Sequence, residues 1–217
     1  MAVEMSSKVE ILRRIHAANG GPSTERAAHS DWQNLSRNYK RAGSLDPMAT
    51  LQLLEDRLRD YDATVTRTNR QNVSLTIASL LAKRGKHQII IPSGIPSAWL
   101  SNGLTFVIDE GLAPAQLDAF DAVLTGATLA IAETGTIVLQ SLPGQGRRAI
   151  SLVPDYHLCV VNAGDVVETV PQGFQRLQST AAVATTFISG PSATADIEMT
   201  RIKGVHGPRI LDVLLIE

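Results

Sequence analysis

The sequence predicts an α/β domain built on a mainly parallel sheet covered on both faces by helices, with a helical N-terminal extension. Three observations predict it. Short apolar runs alternate with amphipathic helical stretches over most of the chain, the order expected of βαβ units. Hydrophobic residues make up 44% of the chain and aromatic residues only 4%, so the core is Leu, Val, Ile and Ala, as in buried parallel sheets. A length of 217 residues suits one such domain with a small helical appendage.

The elements follow in order. Ser7 and Glu10 fit a capping box, with Val9, Leu12 and Ile15 at helical spacing, and Asn19-Gly20-Gly21-Pro22 ends that helix. Residues 22–45 are polar and Arg-rich with little periodicity, and read as an extended arm carrying Trp32, Leu35 and Tyr39. Asp46-Pro47 supplies an N-cap and a first-turn proline for a helix with the stripe Leu51, Leu54, Leu58 and Tyr61. A strand at 63–67 comes next. Asn72 then caps a helix to about Lys83, which Gly85 ends. A strand at 88–91 stops at Pro92, a turn follows at 97–100, and another strand spans 104–108. Pro114 opens a helix with Leu117, Phe120, Val123 and Leu124 inward, ended by Gly126. Residues 127–132 and 136–139 form a hairpin around Glu133-Thr134-Gly135. After a Gly/Arg loop at 141–149 comes a strand at 157–161. Asp165 caps a helix running to about Leu177, irregular around Pro171 and Gly173. The run Thr185-Thr186-Phe187-Ile188 reads as a strand whose turn opens a helix after Ser192, and residues 209–216 form the last strand. The chain divides into an N-terminal helix and arm, 1–45, and an α/β domain, 46–217.

Composition excludes several classes. A net charge of −1 lacks the basic excess of a general nucleic-acid binder. Cys159 is the only cysteine, in the apolar run Leu158-Cys159-Val160-Val161, and reads as a small buried hydrophobe. The chain alone can build neither a disulfide nor a cysteine-ligated iron–sulfur cluster or zinc site, which fits a reducing cytoplasm. The five histidines lack the H-E-x-x-H spacing of a zinc helix, so no metal site is expected. No apolar run approaches the roughly 20 residues that span a bilayer, and no signal-peptide core is seen, so a cytoplasmic protein without membrane insertion is expected.

Candidate site residues cluster in glycine-flanked polar loops. Ligands of parallel sheets usually sit at the carboxyl ends of strands, which directs attention to the loops after Ile91, Ala132, Val161 and Ile188. Ser189, Gly190 and Ser192 would form the turn into a helix whose free N–H groups suit an anion. Asp196, in that helix's first turn, would oppose an anion and favour a hydroxylated or cationic ligand. His206, between glycines, can be held close to a bound group, and Arg209 adds a cation; His157 is a second imidazole beside a turn. For both histidines the alternative is a hydrogen bond that pins a loop. Glu133, with Thr134 and Gly135, places a carboxylate in a turn between apolar segments, where withdrawal from water would suit it as acid, base or nucleophile. The alternative is an exposed turn residue. Gly144-Gln145-Gly146-Arg147-Arg148-Ala149 matches G-x-G-x-x-A, but Pro154 leaves no room for the required helix. It reads instead as a flexible or ligand-gating loop from which Arg147 or Arg148 reaches an anion.

Taken in order, Ala132-Glu133-Thr134-Gly135-Thr136, Arg148, Ser151-Leu152-Val153-Pro154, His157, Ser189-Gly190-Pro191-Ser192, Asp196-Ile197-Glu198 and Gly204-Val205-His206-Gly207-Pro208 resemble the LUD domain of the lactate utilization protein C family. The resemblance covers roughly residues 46–217. It implies a three-layer α/β fold similar to ribose-5-phosphate isomerase, coenzyme A transferases and 5-formyltetrahydrofolate cyclo-ligase. It also implies a cytoplasmic role in oxidation of L-lactate to pyruvate, beside two iron–sulfur proteins that hold the clusters, with no intrinsic cofactor here. Because Glu133-Thr134-Gly135 looks like the E-x-G turn whose Glu attacks an acyl thioester in coenzyme A transferases, the alternatives are a stand-alone transferase or cyclo-ligase using Glu133, or a metabolite-binding regulatory module.

Overall fold

The computed structural model describes residues 7–20, 24–194, 202–203 and 206–217. Two compact units result, 1–39 and 40–217. The first contains α1 (Ser7–Ala18) and α2 (Glu25–Asn34), neither with a buried side chain. Ser7 is already helical, and the Glu10 carboxylate accepts hydrogen bonds from Arg13 and Arg14, so the proposed Ser7–Glu10 box does not form. Helix α2 replaces the extended arm. Thr24 Oγ1 accepts the Ala27 N–H at 3.2 Å, a local cap that no apolar stripe accompanies. The Arg37 guanidinium lies 4.9 Å from the centre of the Trp32 ring.

The second unit runs α3 (Pro47–Asp60), β1 (Thr64–Thr68), α4 (Val73–Lys83), β2 (Gln88–Ile91), β3 (Thr105–Ile108), α5 (Pro114–Leu117), β4 (Ala122–Gly126), β5 (Leu129–Ile131), β6 (Thr136–Gln140), β7 (Tyr156–Asn162), β8 (Val166–Val167), α6 (Val170–Leu177), β9 (Thr185–Ile188), β10 (Ala193–Thr194), β11 (Ile202–Lys203) and β12 (Ile210–Ile216). Six strands form one sheet in the order β1-β12-β7-β4-β2-β3, every neighbouring pair parallel. A second sheet, β8-β5-β6-β9, contains the expected hairpin of β5 and β6. Side chains alternate along β7. Tyr156, Leu158 and Val160 pack with Val73, Ile77 and Leu81 of α4, whereas Cys159 and Val161 pack with Leu54 and Leu58 of α3 and with Ala130 and Ile137 of the second sheet. The parallel sheet is thus a middle layer between α4 on one face and α3 with the second sheet on the other.

Local chemistry explains the elements. Asp46 Oδ1 accepts the Ala49 N–H at 2.9 Å and Pro47 occupies the first turn, so α3 starts where expected. Helix α4 ends in a Schellman motif: Lys86 N–H donates to Leu81 O, Gly85 N–H to Ala82 O, and Gly85 has φ +64°. Asn72 precedes α4 but its side chain caps nothing; Asn69 Oδ1 instead accepts the N–H groups of Gln71 and Asn72.

Three further expectations fail for identifiable reasons. The helix opened by Pro114 stops at Leu117, and Val123 and Leu124 belong to β4 at the centre of the sheet. Asp121 Oδ2 accepts the N–H groups of both His87 and Gln88 at 2.9 Å, which pins the start of β4 beside β2. Asp165 caps no helix; the N-cap of α6 is Thr169, in a capping box with Gln172, and Pro171 falls in the first turn where its missing N–H costs nothing. Ala193–Thr194, where the helix was expected to open, is instead a strand paired antiparallel with Ile202–Lys203. The rest of that expected helix, Asp196 included, lies outside the described residues.

Candidate functional site

A cavity of about 250 Å³ opens between three loops. Arg148 and Ser151 come from the loop before β7, and His157 is the second residue of that strand. Ser189, Gly190, Pro191 and Ser192 follow β9, and His206, Gly207 and Pro208 precede β12, whose Leu211 also lines the cavity. His157 and Leu211 pair in register near the starts of their strands. The cavity therefore lies at the amino ends of β7 and β12, not at the carboxyl edge that the parallel sheet predicted. The strand ending at Ile188 belongs to the second sheet, antiparallel to β6, so its end does not mark the carboxyl edge of the first.

The carboxyl ends of β2 and β4 are plugged by the glycine loop. Gly144 N–H donates to Ser93 O at 2.7 Å, Gly126 N–H to Gly144 O at 2.8 Å, and Gln145 Oε1 accepts the Gln140 N–H at 2.7 Å. This loop is locked rather than flexible. Arg147 makes two bonds to Asp109, at 2.6 and 2.9 Å, and is a strut.

The walls are held by hydroxyls and close packing. Ser192 N–H donates to Pro208 O at 2.8 Å, and Ser192 Oγ accepts the His206 N–H at 3.0 Å, joining two walls. Ser189 Oγ is 2.8 Å from Thr136 Oγ1, itself 2.7 Å from Thr134 Oγ1. Gly190 has φ +85°, and a Cβ there would stand 2.5 Å from Tyr61 Cβ at the end of α3, so only glycine fits. Gly190→Ala is therefore expected to displace this wall and lower the melting temperature by several degrees; an unchanged melting curve would contradict the packing.

Arg148 Nη1 donates to the carbonyl and hydroxyl of Ser151, both at 3.1 Å, and no carboxylate among the described residues pairs with it. His157 is 1% exposed, and its Nε2 lies 2.8 Å from Thr125 Oγ1. Burial, helped by the Arg148 charge, pushes its pKa down to about 4, so the ring is neutral at pH 7. No carboxylate lines the cavity among the described residues. One cation, a neutral imidazole and serine hydroxyls are chemistry that suits a small anion. Its volume sits just below the roughly 300–1,000 Å³ of drug-sized ligand sites.

Of the residues predicted from sequence, Arg148, Ser189, Gly190, Ser192 and His206 meet at this cavity. Arg209 does not line it; its guanidinium makes two bonds to Asp155, at 2.5 and 2.8 Å. Glu133 does not line it either. Lys40 Nζ donates to Glu133 at 3.2 Å and to the buried Glu168 at 2.5 Å, and Glu168 also accepts the N–H groups of Ser44 and Leu45. Thr134 and Gly135 share the Glu133 turn, where a Cβ on Gly135 would approach Arg57 Cβ to 2.8 Å. Among the described residues, that turn reaches the cavity through the Thr134–Thr136–Ser189 hydroxyls. Thr125 has no sequence signal, Ser151 and Thr136 stand in the sequence only as members of the family motifs, and His157 is there the lesser of two candidate imidazoles. The signal for His157 was its polarity on a strand face shared with Cys159 and Val161.

Comparison with known proteins agrees with the motifs. The LUD domain model matches residues 51–216. A lactate utilization protein C from Deinococcus radiodurans is 39% identical over 213 residues, covering 97% of this chain and 95% of that one. A lactate utilization protein C from Macrococcus caseolyticus is 27% identical over 191 residues, covering 82% of each. The crystal structure of a DUF162 family protein from Deinococcus radiodurans superposes with a TM-score of 0.71 at 38% identity, covering 80% of this chain and all of that one. With the family model spanning most of the α/β unit and a relative matched along almost its whole length, this chain belongs to the LUD domain family.

Proposed function

We propose that this chain is the non-cluster component of a lactate utilization system, and that its cavity binds a small organic anion. The observation that carries the reading is the Arg148 cavity: a cation without a carboxylate partner among the described residues, beside neutral His157 and the Ser189 and Ser192 hydroxyls. The names of its relatives supply the lactate context.

Oxidation of lactate to pyruvate releases two electrons. The single cysteine, Cys159, cannot ligate a cluster. It is buried, its S–H donates to the Gly126 carbonyl, and burial pushes its pKa up to about 12. Iron–sulfur partner proteins would therefore carry the electrons, in the cytoplasm. No described helix is long and apolar enough to cross a membrane. Residues 46–217 would form the functional domain and 1–45 an N-terminal extension, whose Lys40, Ser44 and Leu45 are tied to Glu168. A stand-alone transferase using Glu133 draws no support from geometry, because that carboxylate is paired with Lys40 outside the cavity walls.

The test is complementation. Deleting the gene should abolish growth on L-lactate, wild type should restore it, and Arg148→Met should not. In parallel, lactate should raise the melting temperature of the wild-type protein, with affinity falling about tenfold or more in Arg148→Met as a charged hydrogen bond is lost. Normal growth of the deletion strain, in a host without another lactate oxidase, would overturn the reading.

A further inference from the structure

The second sheet ends on an open edge. Strand β9 pairs with β6 on one side, and no strand among the described residues pairs with it on the other. The parity of the ladder says which backbone groups that edge presents. Ser141 N–H donates to Ala184 O at 3.0 Å, and Val138 O accepts the Thr128 N–H from the opposite side of β6. Backbone groups alternate in direction along an antiparallel ladder. With Leu139 opposite Thr186 and Val138 opposite Phe187, Thr186 and Ile188 turn their N–H and C=O groups toward β6. Thr185 and Phe187 turn theirs outward, where they have no backbone partner among the described residues.

Natural sheets guard such an edge with Lys, Pro or a bulge. Thr185-Thr186-Phe187-Ile188 has none of these, and no charged residue stands between Arg176 and Asp196. Arg176 itself is paired with Asp165 at 2.8 Å. Two exposed aromatic rings stand beside the edge. Phe174 of α6 is 56% exposed and Phe187 is 47% exposed, with ring centroids 5.7 Å apart. Together with Leu177, Ala181 and Thr185 they line a groove of about 320 Å³.

We infer that the β9 edge is a self-association surface, on which a second copy of this chain lays its own β9 antiparallel across a two-fold axis at Thr186. Symmetry and charge select a second copy. The outward groups of Thr185 and Phe187 lie one residue either side of Thr186. A two-fold there sets Thr185 of each copy opposite Phe187 of the other, and every outward N–H and C=O finds a partner. The four strands of each copy then form one continuous sheet, with both Phe174–Phe187 pairs on the same face. An uncharged edge meets its copy without repulsion, whereas it offers a charged partner no complementary group. Phe187 and Ile188 also line the Arg148 cavity, so the added strand would run beside that wall. The inference does not depend on what the cavity binds.

Sedimentation of the full chain decides it. At about 100 μM, where a micromolar contact is saturated, the wild type should show twice the 23.3 kDa of one chain. Thr185→Pro removes an outward N–H and no bond to β6, and Phe174→Lys puts a charge beside the edge without touching the strand backbone. Both should sediment as monomers with the wild-type circular dichroism spectrum. In this register Thr186 faces its own copy with Cα atoms about 4.5 Å apart, within reach of a disulfide. Thr186→Cys should therefore cross-link on mild oxidation and Ala184→Cys should not; the native thiol, Cys159, is buried. A monomeric wild type at that concentration overturns the inference. So does a dimer that survives Phe174→Lys, or one that fails to cross-link through Thr186→Cys.

Discussion

Asp212→Ala is expected to destabilise residues 40–217 by about 3 kcal/mol, the low end of the cost of breaking a buried ion pair from one side. Asp212 is 2% exposed on β12 and accepts from Arg84 Nη2 at 2.8 Å, Arg84 Nε at 3.2 Å and the Tyr156 hydroxyl at 3.0 Å. Removing it leaves the Tyr156 hydroxyl, on a fully buried side chain, without that acceptor, and the Arg84 charge without its carboxylate. The Arg84 side chain is 31% exposed, so water recovers part of the loss, which places the figure at the low end. In a domain of this size the change corresponds to a melting-temperature drop of roughly 6–12 °C. Asp212→Asn, which keeps an acceptor and loses the charge, should fall between wild type and Asp212→Ala. Arg209→Ala is the control, because its partner Asp155 is at the surface and exposed pairs contribute little. Urea unfolding of the three variants decides it: an Asp212→Ala midpoint indistinguishable from that of Arg209→Ala would refute the assignment.

The elements legible in the sequence are those whose determinants are local. Asp46-Pro47 announces α3 because cap and proline act within one turn, and β2 and β12 are bounded apolar runs with no competing period. Strand β4 was misread because Leu117, Phe120, Val123 and Leu124 satisfy a helical period by coincidence. The deciding contact, from Asp121 to the His87 and Gln88 N–H groups, spans more than 30 residues. Helix α2 was invisible for the opposite reason: with no buried side chain it has no stripe to detect. The cavity shows the same division. Glycines and serines marked the loop after Ile188 as a wall, and Gly190 against Tyr61 explains the glycine. Which edge of which sheet the wall adjoins depends on β9 pairing with β6, and a single run of apolar residues does not encode its partner. Glu133 illustrates the same limit, since its pairing with Lys40 joins residues 93 apart.

The second large effect is a loss of stability in mild acid. His157 ordinarily titrates at 6.5, and in the folded protein burial and the Arg148 charge lower it to about 4. Above pH 6.5 the ring is neutral in both states and stability is complete. As pH falls below 6.5 the unfolded chain takes up the proton while the native chain resists until near pH 4, so stability falls across that window by about 3 kcal/mol. The groups facing the ring do not offset this: Thr125 does not ionise in this range, and the Cys159 thiol stays protonated. His206, across the cavity, is exposed. The carboxylates held low by partners act elsewhere on the scale. Arg147 lowers Asp109, backbone N–H groups lower Asp121, and Arg209 lowers Asp155, so their contributions are lost only below the usual carboxylate range. Urea midpoints measured from pH 7 to 4.5 should therefore slope downward in wild type and lie much flatter in His157→Gln, whatever that variant's absolute stability. Equal slopes would show that the ring is free to take up its proton in the native state, and would refute its burial as the cause of the acid sensitivity.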